Sequence, residues 1–133
     1  MFVPYVELHA HTAFSFLDGA SSPSELAAAA VELGHSAMAV VDHNGVSGSM
    51  EFAMAAKPLG LRAIHGVEMD LIDGRHVTLL VENGVGWRNL CRIVTRAHVH
   101  DRDPREPPPA VPLETILEFS GGCLLYTSPS PRD

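Results

Sequence analysis

Cysteine is scarce in this 133-residue chain: Cys91 and Cys123 are the two it has. Two thiols cannot build a disulfide framework, so a reducing, cytoplasmic setting is expected. Basic charge is also short. Nine Lys and Arg face sixteen Asp and Glu, a formal net charge of -7. That balance argues against a surface built to hold nucleic acid by phosphate contacts. The N-terminal stretch MFVPYVELHAH has neither a basic segment nor a long apolar run, so no signal peptide is expected. No apolar stretch is long enough to cross a bilayer, so no membrane association is expected. No repeat of fixed period is present. What the chain does have is a 46% hydrophobic composition, enough for the core of one domain, and eight histidines.

The hydrophobic pattern changes period several times. Tyr5 to His11 alternates, with Val6 and Leu8 on one side and Glu7, His9 and His11 on the other, which predicts a strand. Ser22, Pro23 and Glu25 form a helix start, and Gly34 a helix stop. The run SAMAVV reads as a buried strand ending at Asp42-His43. GVSGSMEFAMAAKPLG reads as a short helix disturbed by Pro58 and closed by Gly60. LRAIHGVEMDLI reads as a third strand ending near Glu68, and Asp73-Gly74 as the tip of a hairpin. A two-residue loop there would put Glu68 and His76 on opposite faces. A three-residue loop with left-handed Gly74 puts Glu68, Asp70 and His76 on one face, and this geometry is expected if Glu68 and His76 share a metal. GWRNLCRIVTRAH carries Trp87, Leu90, Cys91, Val94 and His98 at helical spacing. A charged, proline-rich loop follows, then the short helix LETILEF, stopped by Gly121-Gly122. This order predicts an α/β fold with a largely parallel sheet.

Candidate chemistry collects at the predicted strand ends. His9 and His11 leave the same face of a strand, half of a divalent-metal site. Two partly buried, hydrogen-bonded histidines would give the same pattern. Asp18 follows in the next loop, beside Gly19; a carboxylate beside imidazoles suits zinc, manganese or iron. His43 sits at the C-terminal end of the second strand, where parallel α/β folds build sites. Asp42 could orient an imidazole by accepting its N–H, or could cap the following turn. Glu68 is a carboxylate in an apolar run and needs a partner; a metal would be one. His76 opens the next strand. His65 points away from Glu68, and His35, His98 and His100 are read as structural or surface residues, His98 as a satisfied core histidine.

The motifs ELHAHTAFSFLDGA, VVDHNGVSG, IHGVEMD, HVTLLVENGVGWRNLCRI and VPLETILEFSGG resemble the N-terminal PHP (polymerase and histidinol phosphatase) domain of the bacterial DNA polymerase III alpha subunit. The resemblance runs from about Tyr5 to Gly122 and is strongest to the error-prone alpha-subunit branch. It implies an incomplete part of a distorted (β/α)7 barrel, with residues 1–122 as a partial PHP domain. By motif it makes His9, His11, Asp18, His43, Glu68 and His76 metal ligands. It implies a parent DNA-directed DNA polymerase that uses magnesium, acts on DNA in replication and damage-tolerant repair synthesis, and can meet other replication or translesion subunits. The PHP site itself resembles a phosphoesterase. A free-standing phosphatase, such as one acting on histidinol phosphate, and a metal-stabilised structural module are the competing readings. The family's later cysteine or histidine and its Asp-x-His pair have no counterpart here, and catalysis by these residues alone is not expected. Cys123 to Asp133 arrive where an apolar strand should begin. They are read as foreign sequence, similar to adapter read-through, or as a disordered tail.

Overall fold

The computed structural model describes residues 5–15, 19–99, 105 and 108–127. Asp18 and His100, both considered above, lie outside the described residues. The chain forms two compact units, Met1–Asp42 with Val46–His65, and His43–Gly45 with Gly66–Asp133.

The first unit contains β1 (Glu7–Ala10), α1 (Pro23–Glu32), β2 (Ala37–His43, up to Asp42), α2 (Ser49–Ala56), a 3-10 turn at Lys57–Leu59 and the start of β3 (Arg62–Asp70). The α1 start is the one its residues predict. The Ser22 hydroxyl accepts the Glu25 amide at 3.2 Å, and Pro23 occupies the first turn. The chain leaves the helix through Gly34, at φ +82°. β1 and β2 are parallel. Ala27 and Ala30 of α1, Met38 and Val40 of β2, and Phe52 and Ala56 of α2 form a buried cluster with Leu61, and Ala10 packs against it. Ala10 shares its strand face with Val6 and Leu8, so His9 of β1 projects from the other face. Leu8 remains 41% exposed, because β1 is a short edge strand.

The second unit takes the rest of β3, then β4 (His76–Val81), α3 (Gly84–His98), α4 (Leu113–Glu118) and β5 (Cys123–Tyr126). The strand order is β3-β4-β5, with both pairings antiparallel. The fold is therefore mixed α/β, with a five-strand sheet that is less parallel than the sequence suggests. The hairpin follows the three-residue geometry. Leu71 still pairs with Arg75 at 2.8 Å, Gly74 has φ +90°, and Glu68 faces Thr78 while Asp70 faces His76. Directly opposed residues share a face. One face of this hairpin is thus Val67, Met69, Val77 and Leu79, all buried apolar, and the other carries Glu68, Asp70, His76 and Thr78.

β3 runs to Asp70, two residues beyond the expected end near Glu68, because the tight turn keeps the ladder paired. In α3 the buried stripe is Gly86, Leu90, Ile93 and Ala97; Trp87, Cys91, Val94 and His98 flank it. An apolar strand is due after α4, and although Cys123 to Asp133 read as foreign sequence or a disordered tail, Cys123–Tyr126 pairs with β4. Gly122 at φ +76° turns the chain, and its carbonyl accepts the Glu82 amide at 2.8 Å. A Cβ on Gly86 would stand 2.0 Å from that carbonyl oxygen, so the first turn of α3 closes against this corner only with glycine there.

Candidate metal centre

The end of β2 is held by a residue that sequence reasoning passed over. Asn44 adopts φ +55°, a left-handed conformation that asparagine tolerates better than most residues. Its amide donates to the Glu68 carbonyl at 2.9 Å. Its side chain reads Asp70 twice, accepting the Asp70 amide at 2.9 Å and donating to Asp70 Oδ2 at 3.1 Å. Its own carbonyl lies 2.6 Å from His98 Nε2. A carbonyl only accepts, so His98 donates from Nε2 and is the satisfied, structural histidine its place on α3 suggests. Asn44 thereby sets the position of His43 before it and of Asp70 across from it.

His43, Asp70 and His76 converge. Asp70 Oδ1 lies 2.7 Å from His43 Nε2 and 2.5 Å from His76 Nδ1. The His43 contact is close but not aligned as an N–H hydrogen bond. The two rings stand nearly perpendicular, at 83°, with centroids 6.0 Å apart. All three side chains are partly buried. Burial pushes the Asp70 carboxyl up, but the His43 ring, the Asn44 amide and the His76 ring outweigh it and bring its pKa down to about 2. Asp70 is thus a carboxylate at any ordinary pH, with one oxygen fixed by Asn44 and the other turned to two imidazoles.

Two nitrogens and a carboxylate oxygen whose donor atoms all lie within 4.8 Å of one another fit a divalent ion by donor chemistry. Sequence parity places Asp70 on the face of Glu68 and His76 without marking it as a ligand. The signal for it was the same hairpin parity that pairs it with His76.

Glu68 is buried on this hairpin face, at 7% exposure, two residues from Asp70. In the first unit, His9 and His11 have ring centroids 5.3 Å apart with a 46° tilt, as two same-face residues of an extended segment should. Asp42 ties the end of β2 to the segment that follows β1. Its carboxylate, 3% exposed, accepts the Thr12 amide at 2.6 Å, the Thr12 hydroxyl at 2.7 Å and the Ser15 hydroxyl at 2.7 Å. It therefore pins the chain that leaves His11. Gly48 gives this clamp its room: a Cβ there would meet Asp42 Oδ2, Thr12 Oγ1 and the Phe14 ring, each at 3.1 Å.

His35 meets the Tyr5 ring edge-on at 5.4 Å. Burial lowers the pKa of His65, as expected of a packed ring. Cys123 Sγ donates to the Gly86 carbonyl at 3.4 Å, and burial, then Glu82, raise its pKa.

The profile of the PHP domain matches residues 7–130. The chain belongs to the PHP domain family. Among curated relatives, the error-prone DNA polymerase of Symbiobacterium thermophilum is 44% identical over 107 residues, covering 80% of this chain and 10% of that protein. The error-prone DNA polymerase of Mycobacterium tuberculosis H37Rv is 38% identical over 130 residues, covering 90% of this chain and 12% of that protein. The chain thus spans about a tenth of the length of these relatives and is homologous to their N-terminal region. Among solved structures, a putative metal-dependent phosphoesterase from Bifidobacterium adolescentis aligns with TM-score 0.57 at 22% identity, over 87% of this chain and 43% of that one. A two-domain protein from Bacteroides vulgatus with a predicted PHP-like metal-dependent phosphoesterase aligns with TM-score 0.59 at 15% identity, over 96% of this chain and 39% of that one. These two show the fold, consistent with part of a PHP barrel. No helix among the described residues is long and apolar enough to cross a membrane.

Proposed function

We propose that this PHP domain holds divalent metal at the His43–Asp70–His76 trio, as part of a phosphoesterase-type site in a cytoplasmic, error-prone DNA-directed DNA polymerase. The single observation that carries the metal reading is the convergence of two imidazole nitrogens on Asp70 Oδ1, at 2.7 and 2.5 Å. By motif, His9, His11, Asp18 and Glu68 are further ligands, and zinc, manganese and iron suit the set. When bound, such ions supply Lewis acidity toward a phosphoryl oxygen and a hydroxide at neutral pH.

The chain's own residues do the positioning. Asn44 fixes Asp70 Oδ2, which leaves Oδ1 for the ion. The hairpin register sets His76 opposite Asp70, and β2 delivers His43 at its end. The buried apolar strands behind them limit water on one side. The polymerase parent would carry template-directed nucleotidyl transfer, with magnesium and DNA, in residues beyond this segment.

The test is calorimetric titration of the chelator-stripped protein with zinc and with manganese, against Asp70→Asn and His43→Ala. The expected result is saturable binding weakened at least about tenfold by each change. Equal affinity in wild type and both variants would remove the trio from the metal site.

A further inference from the structure

The chain carries a net charge of -7, yet one helix runs the other way. α3 contains Arg88, Arg92 and Arg96 and no aspartate or glutamate, so three of the chain's nine Lys and Arg residues stand on one element. Spacing of four residues places them in a row, each about 6 Å further along the axis. All three are exposed. Like charges at this spacing weaken a helix, and Arg88, near the positive N-terminal end, gains nothing from the helix dipole. The row is not explained by the stability of α3.

Nor is it explained by ion pairing. Among the described residues no carboxylate lies within salt-bridge distance of the three guanidinium groups. By contrast, the exposed Arg75 is paired with Asp73 at 2.7 Å. Instead, the Arg92 and Arg96 guanidinium groups lie over the Phe119 ring, 6.0 and 5.0 Å from its centroid. Arg92 also donates to Asn89 Oδ1 at 3.3 Å. An aromatic platform holds a cation in place without neutralising it. Beside the platform lies an open groove of about 490 Å³, lined by Cys91, Arg92, Thr95, Arg96 and Phe119.

We propose that this face of α3 binds a single strand of nucleic acid. Successive phosphates lie on the arginine row, and a base enters the groove beside Phe119. The axial step of the row is close to the separation of neighbouring phosphates along a strand. Planar guanidinium groups match phosphate oxygens in pairs. A groove with an aromatic wall and arginine planes suits the flat face of a base without selecting its identity. An acidic peptide would satisfy the charges but has no use for the groove. The inference goes beyond the metal reading and shares no residue with it.

The test is fluorescence anisotropy of a labelled oligothymidylate of about 15 nucleotides, titrated with the full chain in EDTA over a range of salt. EDTA separates this outcome from that of the metal reading. Saturable binding is expected. The triple change Arg88→Gln, Arg92→Gln and Arg96→Gln should weaken it at least tenfold and reduce the salt slope by about 2, from about 0.7 per phosphate lost. Arg75→Gln should leave affinity within about twofold, since that arginine already has a carboxylate partner. Backbone amide shifts of the unaltered chain during the titration provide a readout that needs no variant, and they should concentrate in α3 and around Phe119. No saturable binding, shifts elsewhere, equal loss in Arg75→Gln, or competition by polyglutamate as effective as by unlabelled oligonucleotide would each overturn the proposal.

Discussion

Asp42→Ala removes a buried carboxylate that three donors share. The Thr12 amide and hydroxyl and the Ser15 hydroxyl reach it at 2.6 to 2.7 Å. A hydrogen bond to a charged acceptor contributes about 1.5–3 kcal/mol, so the three together contribute about 6 kcal/mol gross. Freeing the carboxylate from burial returns several kcal/mol of desolvation. The expected net loss is about 3 kcal/mol, a large share of the stability of a domain this size. Asp42→Asn keeps one acceptor oxygen and the volume, and should cost about 1–2 kcal/mol. Urea unfolding followed by far-UV circular dichroism measures both. The sole tryptophan, Trp87, lies in the other compact unit, so its fluorescence serves as the check on two-state behaviour. A double-mutant cycle with Thr12→Val should show coupling of about 1–3 kcal/mol. If Asp42→Ala costs less than about 1 kcal/mol, or couples to Thr12→Val by nothing measurable, the clamp is not what orders the chain after His11.

Asn44 separates conformation from contact. Asn44→Gly keeps the left-handed backbone but loses the two side-chain bonds to Asp70, and should destabilise by about 1–2 kcal/mol; Asn44→Ala adds about 1 kcal/mol of backbone strain. Equal denaturant midpoints for the two variants would contradict the role of its φ. Gly86→Ala drives a methyl into the Gly122 carbonyl, a separation of 2.0 Å before relaxation, and should cost about 2–4 kcal/mol in the same assay. An unchanged midpoint would mean that β5 and its corner do not dock on α3. In the metal-free protein, Asp70 has a folded pKa of about 2 against a model value of 3.8. A depressed carboxyl stabilises fully above its unfolded pKa, and that stability is lost as pH falls through the folded value. The window is therefore about pH 4 down to 2. The contribution is about 1 kcal/mol once solvent screening of this partly exposed group is allowed for. Asp70→Asn should flatten that part of the stability–pH curve, and an identical acid limb in the variant would refute the assignment.

Much of this protein is legible along the chain, because the relevant physics is local. Ser22, Pro23 and Gly34 bound α1 through caps and backbone preference. Alternation places His9 and His11 on one side of a strand. The choice of a three-residue hairpin loop follows from parity and from Gly74, and it puts Glu68, Asp70 and His76 on one face before any coordinates are known. The partners of Asp42 were not legible. A carboxylate beside a histidine reads locally as a helper of that histidine, and nothing local says that a threonine thirty residues earlier will claim it. Asn44 escaped notice for the same reason: its value lies in joining the end of β2 to Glu68, Asp70 and His98, and each of those three contacts is long-range. β5 was hidden because a strand added at a sheet edge is selected by the unpaired groups of β4, whatever the polar residues that follow it. The arginine row was visible as letters, but average charge concealed it. Only the tertiary structure brought Phe119, just past α4, beneath two guanidinium groups of α3. Sequence periodicity decides which face a residue takes; only tertiary structure decides what that face meets, because the partner is supplied by a distant part of the chain.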